Sequence, residues 1–85
     1  MSNSTTNKLT LIKRSAPTCP QCITMQLALE DANIPFNTID IAKEPEAIEK
    51  YDLSSVPVLL IDNGGKTIKL NGVQPVEVIK EFLED

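Results

Sequence analysis

The chain holds two cysteines, Cys19 and Cys22, with Pro20 and Gln21 between them. Positions i and i+3 share one face when they open a helix, roughly 5–6 Å apart. A disulfide needs its two Cα atoms within roughly 4.4–6.8 Å, so this pair can close without moving the backbone. A dithiol that opens and closes in place carries two electrons. The chemistry expected of it is thiol–disulfide exchange, in which a thiolate attacks a disulfide sulfur and forms a mixed disulfide.

The two sulfurs have unequal expected surroundings. Cys19 falls at the cap or first turn of the helix, where free backbone N–H groups and the positive end of the helix dipole favour a thiolate. Its pKa is expected below the free value of about 8.5, and its sulfur is expected to be exposed. Cys22 lies deeper in the first turn and is expected to be more buried. Cys19 would attack the substrate, and Cys22 would then attack Cys19 and release the reduced product. Other uses of the pair fare worse. A closed zinc site wants four N or S ligands, and a chain with no histidine and two cysteines would have to use carboxylates. A purely structural disulfide would close too short a loop to stabilise much. Two incidental thiols remain the plain alternative, since the spacing alone is a motif hypothesis.

A chain of 85 residues makes one domain near the lower size at which a single core suffices. Apolar content is 41% and charged content 24%, ordinary for a globular protein, and aromatics are few, so Ile, Leu and Val should fill the core. A net charge of −4 argues against a nucleic-acid surface. No apolar run approaches the ~20 residues of a membrane span. Residues 1–8 lack the apolar stretch of a secretory signal and read as a polar lead-in, leaving 9–85 as the folded domain. A cytosolic location is therefore expected. Thiols there are kept reduced, so a disulfide is transient and catalytic or sensing.

The elements that must position the cysteines follow from local patterning. Residues 9–13 read as a strand and 14–18 as a loop. Pro20 suits the first helical position, where a missing N–H is harmless. Met25, Ala28, Leu29 and Ala32 recur at helical spacing over 20–32, with Ile23 and Leu27 beside them, and Asn33 followed by Ile34-Pro35 stops the helix. Residues 36–41 read as a second strand and 45–51 as a short helix. The continuous apolar run 56–61 reads as a buried central strand. Asp62-Asn63-Gly64-Gly65 is a hairpin signal, returning through an edge strand at 66–70. Asn71-Gly72 turns again into a last helix over 75–84. The order β-α-β-α-β-β-α implies a parallel pair in the first half, an antiparallel edge and helices on both faces. That is an α/β, minimal thioredoxin-like architecture: a four-stranded mixed sheet with three helices, its cysteine pair where that fold places its active site. Val56-Pro57 is a second constellation. Proline entering a central strand removes a ladder bond, and residue physics alone makes Pro57 a strand-start residue with an ordinary trans bond. Tyr51 reads as packing.

Taken together, Cys19-Pro-Gln-Cys22, Glu44-Pro-Glu-Ala47, Ser55-Val-Pro-Val58 and Asn71-Gly-Val-Gln-Pro75 resemble the glutaredoxin-like redoxins of the NrdH type, from about Leu9 to Leu83. The resemblance implies a cis-proline facing the cysteines, at Pro57, and a substrate surface with Pro20, Val56, Pro57 and Gly72 around catalytic Cys19 and Cys22; Thr18 and Gln21 flank the sulfurs and either contact substrate or are solvated loop and helix-start residues. It implies electrons passed from thioredoxin reductase to a class Ib ribonucleotide reductase, with no tightly bound cofactor besides the redox-active disulfide, and a monomer. The chain departs from the family at three places, one of them a loop before Cys19 that is about two residues longer. Pro20 is typical of ordinary glutaredoxins, and the family's Trp-Ser-Gly-Phe-Arg-Pro stands here as Leu70-Asn71-Gly72-Val73-Gln74-Pro75. Glutathione-driven reduction is the runner-up. Lys13 and Arg14 could form the basic part of a glutathione site, or be ordinary solvated charges. Asn71-Gly72 lacks the paired glycines and acid of a glutathione turn, so binding is expected to be weak or absent. A cluster-bridging module and a redox-silent adaptor are the remaining classes.

Overall fold

The computed structural model describes residues 8–83; most of the polar lead-in expected over 1–8, and the last residue of the helix expected over 75–84, lie outside them. The order is β1 (Leu9–Lys13), α1 (Pro20–Asp31), β2 (Asn37–Asp40), α2 (Glu46–Lys50), β3 (Val58–Asn63), β4 (Lys66–Asn71) and α3 (Val76–Leu83). One sheet runs β2-β1-β3-β4. β1 pairs parallel with β2 and antiparallel with β3, and β3 pairs antiparallel with β4. This is the thioredoxin fold, as the element order predicts.

Alternation along the central strands divides the core. Leu9 and Leu11 of β1 and Leu59 and Ile61 of β3 point to one face, where Met25 and Leu29 of α1 and Ile79 of α3 bury them. Ile12, Val58 and Leu60 point to the other, under Ile39, Ile41, Tyr51, Leu53 and Val56. β3 is thus apolar at every position from Val58 to Ile61 because both its faces are covered. Tyr51 packs, as expected. The hairpin closes through Gly64 (φ +59) and Gly65 (φ +94), with Asn63 opposite Lys66. Positive φ at both central residues is the requirement of a type I′ turn, whose twist matches the strands it joins.

Both crossover helices end by the same device. Asn33 takes φ +58, the Ile34 N–H donates to the Leu29 carbonyl at 3.0 Å, and the Asn33 N–H to the Glu30 carbonyl at 3.1 Å. Asp52 takes φ +55, with Leu53 N–H to Ile48 O at 2.9 Å and Asp52 N–H to Glu49 O at 3.3 Å. These are Schellman closures. In the first, Ile34 is buried beside Leu29 in the main core; in the second, the Lys69 ammonium also donates to the Tyr51 and Asp52 carbonyls. Asn33→Ala is expected to cost about 1–2 kcal/mol, since alanine tolerates the left-handed region poorly, whereas Asn33→Gly should be close to neutral; paired denaturant titrations would show the difference.

The reading of α1 needs one correction. Ile23 and Leu27, expected beside its apolar face, are 49% and 57% exposed. They sit four residues apart on the side turned from the sheet, while Cys22, Met25 and Leu29 take the buried stripe.

Candidate active site

The register of the sheet gathers the site at one end. Ile12 of β1 lies opposite Val58 of β3. The antiparallel pairing therefore sets the exit of β1, at Lys13, beside the entry to β3, at Val56-Pro57. The chain leaving Lys13 crosses the loop 14–18 and enters α1 through Cys19. The chain leaving β4 returns to the same end, where the Gly72 N–H donates to the Pro57 carbonyl at 2.9 Å. Gly72 has φ +80, a conformation that glycine adopts without steric cost. The next turn is tied to α1 by the Gln74 N–H, 3.3 Å from the Met25 sulfur.

Cys19 is the N-cap residue of α1, with extended φ and ψ of −121° and 98°, and Pro20 occupies the first helical turn. The Cys22 N–H donates to Cys19 Sγ at 3.2 Å, so sulfur does here what a serine or aspartate oxygen does at most N-caps. A thiolate in that place would accept the same N–H and face the positive end of the helix. Cys19 and Cys22 are joined as a disulfide, with Cα atoms 5.2 Å apart, as their spacing predicts.

The expected exposure of Cys19 is corrected. It is 4% exposed against 2% for Cys22, so the two are buried almost alike. An N-cap sulfur folds back onto the first turn, and the residues of a recess close over it. That recess, of about 200 Å³, is lined by Lys13, Arg14, Ser15, Thr18, Cys19, Cys22, Ile23 and Gln26. A sulfur approaching Cys19 from solvent would pass through it. Of the residues expected to contact substrate, the structure brings Thr18 to the disulfide, and leaves Pro20 and Gln21 exposed beside it. Val56 lines a neighbouring cavity, and Pro57 is fully buried with Gly72 bonded to it. The Val56–Pro57 bond is cis, as the resemblance implies and against the bare residue statistics, and β3 begins after it at Val58. A second cis bond, Ala16–Pro17, lies in the loop before Cys19.

Three features escaped the sequence reading. Gln26 lies one turn past Cys22 and accepts from the Lys13 ammonium at 3.2 Å, while its own amide donates to Glu30 at 3.2 Å. This holds the Lys13 cation at the recess. The i+4 spacing from Cys22 could have found Gln26. Ile23, four residues past Cys19, could have been found likewise. Nothing local could have found Asp40, at the end of β2, whose carboxylate accepts the N–H groups of Ser15 and Ala42, both at 3.0 Å. It ties the loop before Cys19 to β2.

The Ser15 side chain above all, with help from the Ser15 and Ala42 N–H groups and the Lys13 charge, holds the Asp40 carboxyl below its ordinary 3.8 against an opposing effect of desolvation. A carboxyl with a depressed folded pKa stabilises the fold above its unfolded pKa, and that contribution fades as pH falls through the folded value. Asp40→Ala is therefore expected to lower the melting temperature at pH 7. The gap to the parent should close as pH drops below about 3.8, a comparison that thermal unfolding at several pH values would make.

Among the described residues no group of three or more His, Cys, Asp or Glu side chains converges to hold a metal ion, and no helix is long and apolar enough to cross a membrane. The redox group is the cysteine pair itself. A helix capped by one sulfur, with the second a turn behind it on a thioredoxin fold, defines a thiol–disulfide oxidoreductase.

The chain belongs to the thioredoxin family, whose model matches residues 2–85. It is 36% identical over 77 residues to the SPbeta prophage-derived thioredoxin-like protein YosR of Bacillus subtilis (strain 168), covering 88% of this chain and 95% of that one. It is 34% identical over 82 residues to Glutaredoxin-3 of Mus musculus, covering 89% of this chain but 24% of that protein. Among solved structures it is similar in fold to the glutaredoxin-like protein NrdH-redoxin of Escherichia coli, with a TM-score of 0.68 and 23% identity over 85% of this chain and 91% of that one.

Proposed function

We propose that this protein is a dithiol electron donor that reduces a ribonucleotide reductase or a similar protein disulfide and is itself recycled by thioredoxin reductase, as a monomer in a reducing cytoplasm. The observation that carries the donor reading is the turn at the site's edge. Asn71-Gly72 packs its single glycine onto Pro57 and continues into Val73 and Gln74, without the paired glycines and acid of a glutathione turn. In this reading Cys19 attacks and Cys22 resolves. Thr18 and Gln21 flank the sulfur, Pro20 fixes the helix start, and Val56 and Gly72, braced by the buried Pro57, form the surface along which an extended substrate pairs.

A glutathione-driven reading has its own support: Lys13 and Arg14 line the disulfide recess, and a relative bears the name Glutaredoxin-3. Two coupled NADPH-oxidation assays separate them, one driven by thioredoxin reductase and one by glutathione with glutathione reductase. Turnover of a protein disulfide is expected in the first. Turnover in the second alone would reverse the ranking.

A further inference from the structure

Beside the disulfide recess lies a second cavity, of about 190 Å³, lined by Arg14, Ile41, Ile48, Leu53, Ser54, Ser55 and Val56. Arg14 borders both. The lining is aliphatic on one side, and it accounts for an otherwise unexplained exposed residue: Ile48 on α2 is 41% exposed. The rim carries one cation. Arg14 Nε donates to the Pro17 carbonyl at 2.9 Å, which fixes the side chain while leaving its outer nitrogens free. Among the described residues Arg14 has no ion-pair partner. The backbone of Val56 likewise has no hydrogen-bond partner among them, since the β3 ladder begins at Val58. An apolar hollow, an uncompensated guanidinium and the free backbone of Val56 thus meet beside the recess that holds the disulfide.

The geometry points to a specificity pocket for the substrate protein: an extended segment flanking its reactive cysteine, laid along Val56, places one aliphatic side chain in the Ile41–Ile48–Leu53 cavity and an adjacent carboxylate on Arg14. This rests on the donor reading above and names the kind of disulfide it serves. Size favours a side chain over a small molecule, because ordinary ligand pockets hold roughly 300–1,000 Å³. Charge favours an acidic neighbour, because a fixed guanidinium pairs a carboxylate with both oxygens. The aliphatic contact supplies affinity and the charge supplies discrimination.

The test uses the full, pre-reduced protein and short peptides whose single cysteine is disulfide-bonded to thionitrobenzoate. Cys19 thiolate attacks the peptide sulfur and thionitrobenzoate leaves as the coloured thiolate. Cys22 then attacks Cys19, releasing the peptide thiol. The Cys19 thiolate and Cys22 thiol together give up two electrons and one proton; the peptide and thionitrobenzoate sulfurs take the electrons, and the peptide thiolate takes the proton. Near the cysteine the peptides carry Leu or Ser, combined with Glu or Lys. Ratios between peptides of the second-order rate constant for thionitrobenzoate release are internal to each variant. The parent is expected to prefer Leu over Ser by about tenfold and Glu over Lys by about fivefold. Arg14→Glu should reverse the charge preference, and Ile48→Ser should collapse the aliphatic one. Ratios near one in the parent, or ratios that neither variant moves, would overturn the pocket while leaving the donor reading intact. Preserved ratios in a protein recycled by glutathione alone would overturn the donor reading and leave the pocket standing.

Discussion

Cys19→Ser is expected to bring disulfide reduction down to the uncatalysed background, and Cys22→Ser to leave the first half-reaction intact but hold the protein covalently on its substrate. The asymmetry follows from the helix. Cys19 Sγ caps α1 and accepts the Cys22 N–H, so in the proposed mechanism it is the sulfur that attacks. Serine at that position keeps the cap, since a hydroxyl accepts the same N–H, but it cannot form the mixed disulfide. Loss of the nucleophile should cost at least about 10³-fold, with little change in fold. Cys22 sits with its Cα 5.2 Å from that of Cys19, held in place to attack the mixed disulfide. Well-oriented intramolecular attack carries effective molarities as high as about 10⁵–10⁸ M. Removing it leaves resolution to solution thiols, slower by upward of about 10³-fold. Non-reducing electrophoresis of Cys22→Ser with a substrate protein should show a band that dithiothreitol dissolves. No such band, with the parent active, would reverse the two roles. The trapped partner would also identify the physiological acceptor.

Leu11→Ala is expected to be the most damaging single truncation outside the site. Leu11 is fully buried on the face that α1 and α3 cover, in contact with the cluster of Met25, Leu29, Leu59 and Ile79. Removing a buried leucine to its β-carbon costs about 2–5 kcal/mol, the larger values where neighbours cannot collapse into the hole. Here they are held by two strand ladders. A domain of this size is stable by only about 5–15 kcal/mol, and each kcal/mol moves the melting temperature by about 4–8 °C. A drop of at least about 10 °C is expected. Leu27→Ser, on the exposed side of α1, should stay within about 0.5 kcal/mol of the parent. Thermal unfolding of the two variants side by side would check both; equal losses would mean that α1 is turned the other way.

That orientation marks where local reading stops. The apolar residues of α1 cover more than one side of the helix, so periodicity admits Ile23 and Leu27 as readily as Met25 and Leu29. Only the sheet beneath chooses. Strand ends shifted for a similar reason: the apolar run from Val56 reads as one strand, but pairing with Ile12 and Asn71 starts it at Val58, and Val56 is left with free backbone. Burial of Cys19 was illegible because its cover comes from Lys13 and the loop before it, on a different element.

The amino-acid order by itself determined the element sequence, the helix stop at Asn33, the tight hairpin at Gly64-Gly65 and the adjacency of the two sulfurs. Each depends on residues a few positions apart, whose backbone preferences and side-chain spacing act locally. The tertiary structure decided the antiparallel union of β1 with β3, the recess that Lys13 and Gln26 form over the disulfide, the Asp40 tie to Ser15, the seating of Gly72 on Pro57, and the second cavity under Arg14. These contacts join positions 13 to 52 residues apart. No repeating pattern along the chain encodes them, because they form only when burying both faces of one sheet brings distant segments to the same end.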